Sequence, residues 1–135
     1  MKRRNIPDEL LALMAEKFRM LGDHSRLSIL HVLMIDGELN VGQIVAATGY
    51  GVANVSKHLK LLAEAKLIKR SKEGSYVRYR LDDPVVERIC ELVCDSLRRE
   101  IETQLKRHQR VIARTRKQVS RASDDYLAGL KARLT

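Results

Sequence analysis

The sequence predicts a mainly α-helical domain carrying one β-hairpin, and three observations lead there. Apolar residues recur at helical spacing over most of the 135 residues. The period shortens to two only between Leu67 and Leu81, where two alternating runs flank Glu73-Gly74-Ser75. From 85 to 128 neither proline nor glycine interrupts the chain, so the last helix is expected to exceed about thirty residues. The length suits one domain with a single core.

The elements follow in order. Residues 8–21 set Leu10, Leu11, Met14, Phe18 and Leu21 at helical spacing, with Pro7 and Asp8 as start signals and Gly22 as the stop. Asp23 or Ser25 caps a second helix whose stripe is Leu27, Leu30, Leu33 and Met34, and Asp36-Gly37 ends it. A short third helix covers about 41–48, with Val41, Ile44, Val45 and Ala47. Gly49-Tyr50-Gly51 makes a tight break before a fourth helix over about 52–65. That helix turns Val55, Leu59, Leu62 and Ala63 inward and Asn54, Ser56, Lys57, His58 and Lys60 to the opposite side. The runs 67–72 and 76–81 read as strands; in the second, Val77, Tyr79 and Leu81 share one face, and Tyr76, Arg78 and Arg80 the other. Asp82-Asp83-Pro84 opens the last helix, whose stripe is Val86, Ile89, Cys90, Val93, Cys94, Leu97, Ile101 and Leu105, continuing weakly to Ile112 and Val119.

Charge is distributed unevenly. The chain carries 26 Lys and Arg against 17 Asp and Glu, net +9. Residues 1–39 balance, 40–81 hold eight basic against two acidic side chains, 82–97 are net −4, 98–121 are net +7, and 122–135 balance. Such basic blocks favour a polyanionic partner, although a solvated helix face explains the second block equally simply. No apolar run is long enough to span a membrane, and the N-terminus turns acidic before any apolar stretch, unlike a secretory signal. Two cysteines, Cys90 and Cys94, fit a reducing cytoplasm rather than a disulfide scaffold. No nucleophile–base, metalloprotease, phosphate-loop or dinucleotide pattern is present, so the chain is expected not to be an enzyme and to need no cofactor.

Two short helices joined by a glycine turn and followed by a basic hairpin make a winged helix-turn-helix. The second helix of such a pair enters the major groove while the first crosses behind it. Its exposed face must be small or polar, which Asn54, Ser56, Lys57, His58 and Lys60 satisfy. Lys72, Ser75 and Arg78 of the hairpin suit phosphate or minor-groove contact. A helical domain with a merely charged surface hairpin would show the same pattern with no nucleic acid to bind.

The stretch from Phe18 to Leu81 resembles the ArsR family of winged-helix repressors, which sense metals and metalloids. The matching pieces are residues 21–30 (LGDHSRLSIL), 55–62 (VSKHLKLL), 65–68 (AKLI) and 74–81 (GSYVRYRL). The resemblance implies a cytoplasmic homodimer that binds an operator, is altered by an inducer, and dimerises through its first and last helices. On this reading, residues 1–105 form the DNA-binding and dimerisation domain and 106–135 a basic helical extension. The family's two usual metal sites are not matched. Residues 38–43 (ELNVGQ) lack the Cys-x-Cys pair, and Val85, Ser96 and Arg99 stand where the last-helix site has imidazoles. No metal site is therefore expected, since zinc takes about four ligands.

Cys90 and Cys94, one turn apart, remain as sensor candidates for an unknown inducer, through oxidation, a persulfide or a trivalent arsenical. Both also suit the role of small apolar filler. Glu87, Glu91 and Asp95 should raise their pKa values. His24 and His31 read as capping or interface residues and His108 as a solvated one. The competing function is a dimeric winged-helix module without an inducer site, whose basic face meets an acidic protein.

Overall fold

The computed structural model describes residues 5–134. It contains α1 (Asp8–Leu21), α2 (His24–Asp36), α3 (Val41–Thr48), α4 (Val52–Glu64), β1 (Ile68–Glu73), β2 (Tyr76–Leu81) and α5 (Pro84–Leu134). The chain divides into two compact units, Met1–Arg88 and Ile89–Thr135.

Local chemistry sets the boundaries in the first unit. The Asp23 carboxylate accepts the Arg26 backbone N–H at 3.0 Å and caps α2, so Asp23 rather than Ser25 is the cap. That bond, ahead of the nearby charges, holds its carboxyl below the usual range. Arg26 also donates to the carbonyls of Met20 (2.7 Å) and Arg19 (3.1 Å), satisfying the open end of α1. Asn40 and Gln43 form a reciprocal capping box at the start of α3. Gly49 ends α3 at φ 75°, a left-handed conformation that costs glycine little. Asp83 accepts the Val85 N–H at 2.9 Å to open α5 and pairs with Lys17 of α1.

The strands pair antiparallel from Ile68↔Leu81 to Glu73↔Tyr76. Gly74 takes φ 61° at the first central position of the turn, where the tightest hairpins need a positive φ. β1 starts one residue later than the sequence suggests, because Lys66 sits at φ 60° and Leu67 still bonds back to Leu62. Leu39 and Tyr79 exchange backbone hydrogen bonds of 2.9 and 2.7 Å, tying the hairpin to the α2–α3 connection.

Ile29, Leu30, Ile44, Val55, Leu59, Leu62, Leu67 and Val86 fill the interior. Within α2 the expected stripe is shifted: Ile29 is buried with Leu30 and Leu33, while Leu27 is exposed. α5 runs through residues 105 and 106 without a break. Among the described residues no helix is long and apolar enough to cross a membrane.

Candidate nucleic-acid interface

α4 buries Val55, Leu59 and Leu62 completely and exposes Asn54, Ser56, Lys57 and Lys60. Ala53 is also exposed, and with Ser56 it keeps part of that face low enough for close approach of another backbone. His58 corrects the sequence reading. It is only 8% exposed, on the core side of α4 rather than its outer face, and its Nδ1 is buried without a hydrogen-bond partner. The signal was present: His58 lies three residues after Val55 and four before Leu62, so helical spacing puts it on the buried stripe.

The turn before α4 is anchored from behind. Tyr50 Oη donates to Ser28 Oγ at 3.1 Å and lies 3.1 Å from His24 Nδ1, while Ser28 Oγ donates to the His24 carbonyl at 2.9 Å. Thr48 Oγ1 accepts the Tyr50 N–H at 3.3 Å. Three residues of α2 and the turn thereby fix where α4 begins, so its outer face is presented by a rigid support. His24 belongs to this network.

The hairpin separates the residues that sequence reasoning grouped together. Cross-strand partners share a face, so the pairs Lys69↔Arg80 and Ser71↔Arg78 place Lys69, Arg78 and Arg80 on one side. Lys72, opposite Val77, lies on the other, and Ser75 is at the tip; Lys72 and Ser75 are both exposed. Neither Lys69 nor Arg80 was named as a contact, although the two-residue period already sets Arg80 beside Arg78; the register adds Lys69. Two cations facing each other across a ladder destabilise it, and a polyanion beside them relieves that cost. Arg78 also lines a small hollow with Glu38 and Glu73.

Within the second unit Cys90 is half-buried and Cys94 exposed, and both are free thiols. Burial, and then the neighbouring Cys94, pushes the Cys90 thiol up. The acidic neighbours expected to do this are not the cause. Among the described residues no three His, Cys, Asp or Glu side chains gather as a metal site.

Comparison with known proteins follows the same lines. Residues 23–70 match the model of the arsR family of bacterial regulatory proteins. The HTH-type transcriptional regulator KmtR of Mycobacterium tuberculosis is 34% identical over 92 residues, 68% of this chain and 68% of that protein. The solved AntR antimony-specific transcriptional repressor superposes with a TM-score of 0.69 at 28% identity, covering 76% of this chain and 93% of that one. A homodimeric winged helix-turn-helix DNA-binding domain from Mycobacterium bovis gives 0.63 at 29% identity, over 73% and 94%.

Proposed function

The chain belongs to the ArsR family of bacterial regulatory proteins and is a DNA-binding transcriptional repressor; from that premise we propose that it reads a DNA operator as a cytoplasmic homodimer through the outer face of α4. The observation that carries this reading is the division of α4 into a fully buried apolar side and an exposed side of Asn54, Ser56, Lys57 and Lys60. Asn54 and Ser56 read bases or position the helix, and Lys57 and Lys60 supply affinity. Ser75 and the wing cations Lys72 and Arg78 meet phosphates. His58 acts only by packing α4.

The dimer is formed within residues 1–105. Leu10, Leu11, Leu13 and Phe18 of α1 and Val93, Leu97, Ile101 and Leu105 of α5 are large apolar side chains left exposed in the single chain. Apolar surface of this extent on one chain marks an interface, and the M. bovis neighbour is described as homodimeric. Residues 106–135 are a basic extension, helical through Leu134. Gel-shift titration of DNA from upstream of its own gene, against random duplex, tests the reading. Preference for the upstream DNA with a steep salt dependence is expected, and equal affinity for both would overturn it.

A soft, thiol-seeking inducer fits Cys90 and Cys94. One turn apart, their Cβ atoms are about 6 Å from each other, too far for an unstrained disulfide within one straight helix but suited to a trivalent arsenical or antimonial, or a persulfide bridge. AntR is by name antimony-specific. Because the Cys90 thiol is pushed up, ligand must displace its proton, so release from DNA should strengthen as pH rises. Release by arsenite, antimonite and polysulfide is to be measured for the wild type and Cys90→Ser/Cys94→Ser. An unchanged response in the double variant would leave the pair as small apolar filler of the proposed seam.

A further inference from the structure

Seven cations of α5 fall on one side of the helix. At 100° per residue, Arg99, Lys106, Arg107, Arg110, Arg114, Lys117 and Arg121 lie within an arc of about 100°. Glu100 and Glu102 fall outside that arc, and Asp124 and Asp125 follow its end. All seven are exposed. Among the described residues none is in an ion pair, and only Arg99 reaches another group, the Asp95 carbonyl at 3.3 Å. Lys106, Arg110, Arg114, Lys117 and Arg121 succeed one another at three or four residues, a ladder of like charges in which each rung disfavours the helix. Such a ladder, uncompensated within the chain, calls for an anionic surface of its own length.

We propose that this stripe is a second DNA-contact surface, separate from the helix-turn-helix, which grips the phosphate backbone of duplex DNA without reading bases. Arg99 and Arg121 stand about 33 Å apart along the helix axis at 1.5 Å per residue, close to the ~34 Å of one turn of B-DNA. Five of the seven are arginines, whose planar fork matches phosphate oxygens in pairs. A lipid surface fits less well. Opposite the stripe, the row Leu105, Ile112, Val119 and Tyr126 is interrupted by His108, Thr115 and Ser123, which leaves it narrower than the broad apolar face of a membrane-surface helix. The proposal rests on the chain being a DNA-binding regulator, but not on which residues of α4 bind.

The test compares the full-length wild type with Arg110→Gln/Arg114→Gln/Lys117→Gln/Arg121→Gln, since glutamine keeps nearly the same helix propensity. Binding to a random-sequence duplex of ~60 base pairs is titrated over a range of salt, with circular dichroism as the check on helix content. The slope of log affinity against log salt should become shallower by about 3 to 4 for each protomer whose stripe meets DNA, at about 0.9 per phosphate contact, and affinity at low salt should fall more than about tenfold. An unchanged slope overturns the proposal. So does an unchanged slope accompanied by lost retention on polyglutamate or on phosphatidylserine vesicles, which would assign the stripe to an acidic protein or a membrane. Should the quadruple variant lose helix, Arg110→Gln and Arg114→Gln decide singly, each lowering the slope by about 0.9 or overturning the idea by leaving it. Lys57→Gln/Lys60→Gln separates the two readings: if it alone leaves the slope unchanged, the assignment of α4 fails and the stripe stands.

Discussion

The two units treat their apolar residues in opposite ways. Among the described residues every buried apolar side chain lies between Met20 and Val86. From Glu91 to Leu134 every side chain is exposed, including Leu97, Ile101, Leu105 and Ile112. The first unit closes its own core and spends its remaining polar surface on α4 and the hairpin. Beyond Cys90 the second is helical with no buried side chain among the described residues. Helices in proteins draw most of their stability from packing an apolar face, so on the proposed reading the second unit takes its partners from outside this chain. The proposed dimer seam and the cationic stripe, on opposite sides of one helix, supply two of them.

The sharpest way to break this comparison is to truncate one leucine in each unit. Leu59→Ala should cost about 2 to 5 kcal/mol in urea unfolding, because Leu59 is fully buried and its cavity cannot close. Leu105→Ala, 54% exposed, should cost less than about 0.5 kcal/mol at concentrations where the chain is monomeric. Its cost should then grow with protein concentration as the dimer forms. A large loss for Leu105→Ala in the monomer would mean that the second unit has a core of its own.

A smaller effect separates reading from gripping within the first unit. Asn54→Ala should erode the preference for operator over random duplex by about 1 to 3 kcal/mol, the scale of one base contact. Lys72→Ala should weaken both alike and make the salt slope shallower by about 0.9. Parallel losses in the two variants, measured by fluorescence anisotropy, would erase that division.

Asp83, at the start of α5, offers a pH signature. The Lys17 ammonium first, and then the Val85 N–H, hold its carboxyl below the usual carboxylate range despite partial burial. A depressed folded pKa stabilises the fold above the unfolded value of about 3.9, and that contribution is lost as pH falls through the folded value. Asp83→Asn should therefore cost about 1 kcal/mol at neutral pH, after discounting for the exposure of Lys17. The gap between variant and wild type should narrow below about pH 4. A constant gap in acid would show that Asp83 acts as a cap without its charge.

Most of the first unit was legible because its signals are local. Pro7, Gly22, Gly37 and Gly49 bound their helices where punctuation placed them, and the two-residue period located the hairpin. What sequence reading missed depended on which direction a face points. Leu27 and Ile29 are both apolar, and only packing decides which of them the core takes. Lys69 joins Arg78 and Arg80 through strand register, which no single run of residues displays. The DNA-facing side of α4 was read from residue type, and there type and position disagree once: a histidine beside a lysine looks like part of a basic face.

That disagreement yields the smallest prediction. His58 occupies a buried position with an unpartnered Nδ1, so its imidazole carries a desolvation cost that leucine, of similar bulk, does not. His58→Leu should leave stability unchanged or raise it by up to about 1 kcal/mol, because a buried polar atom without a partner is lost along with its penalty. If His58 instead belonged to the DNA-facing side, the same variant would also weaken operator binding. The two readings therefore separate in one pair of measurements: urea unfolding, and titration of operator binding. Weaker binding with unchanged stability would return His58 to the interface. Unchanged binding with equal or greater stability keeps it in the packing beneath α4.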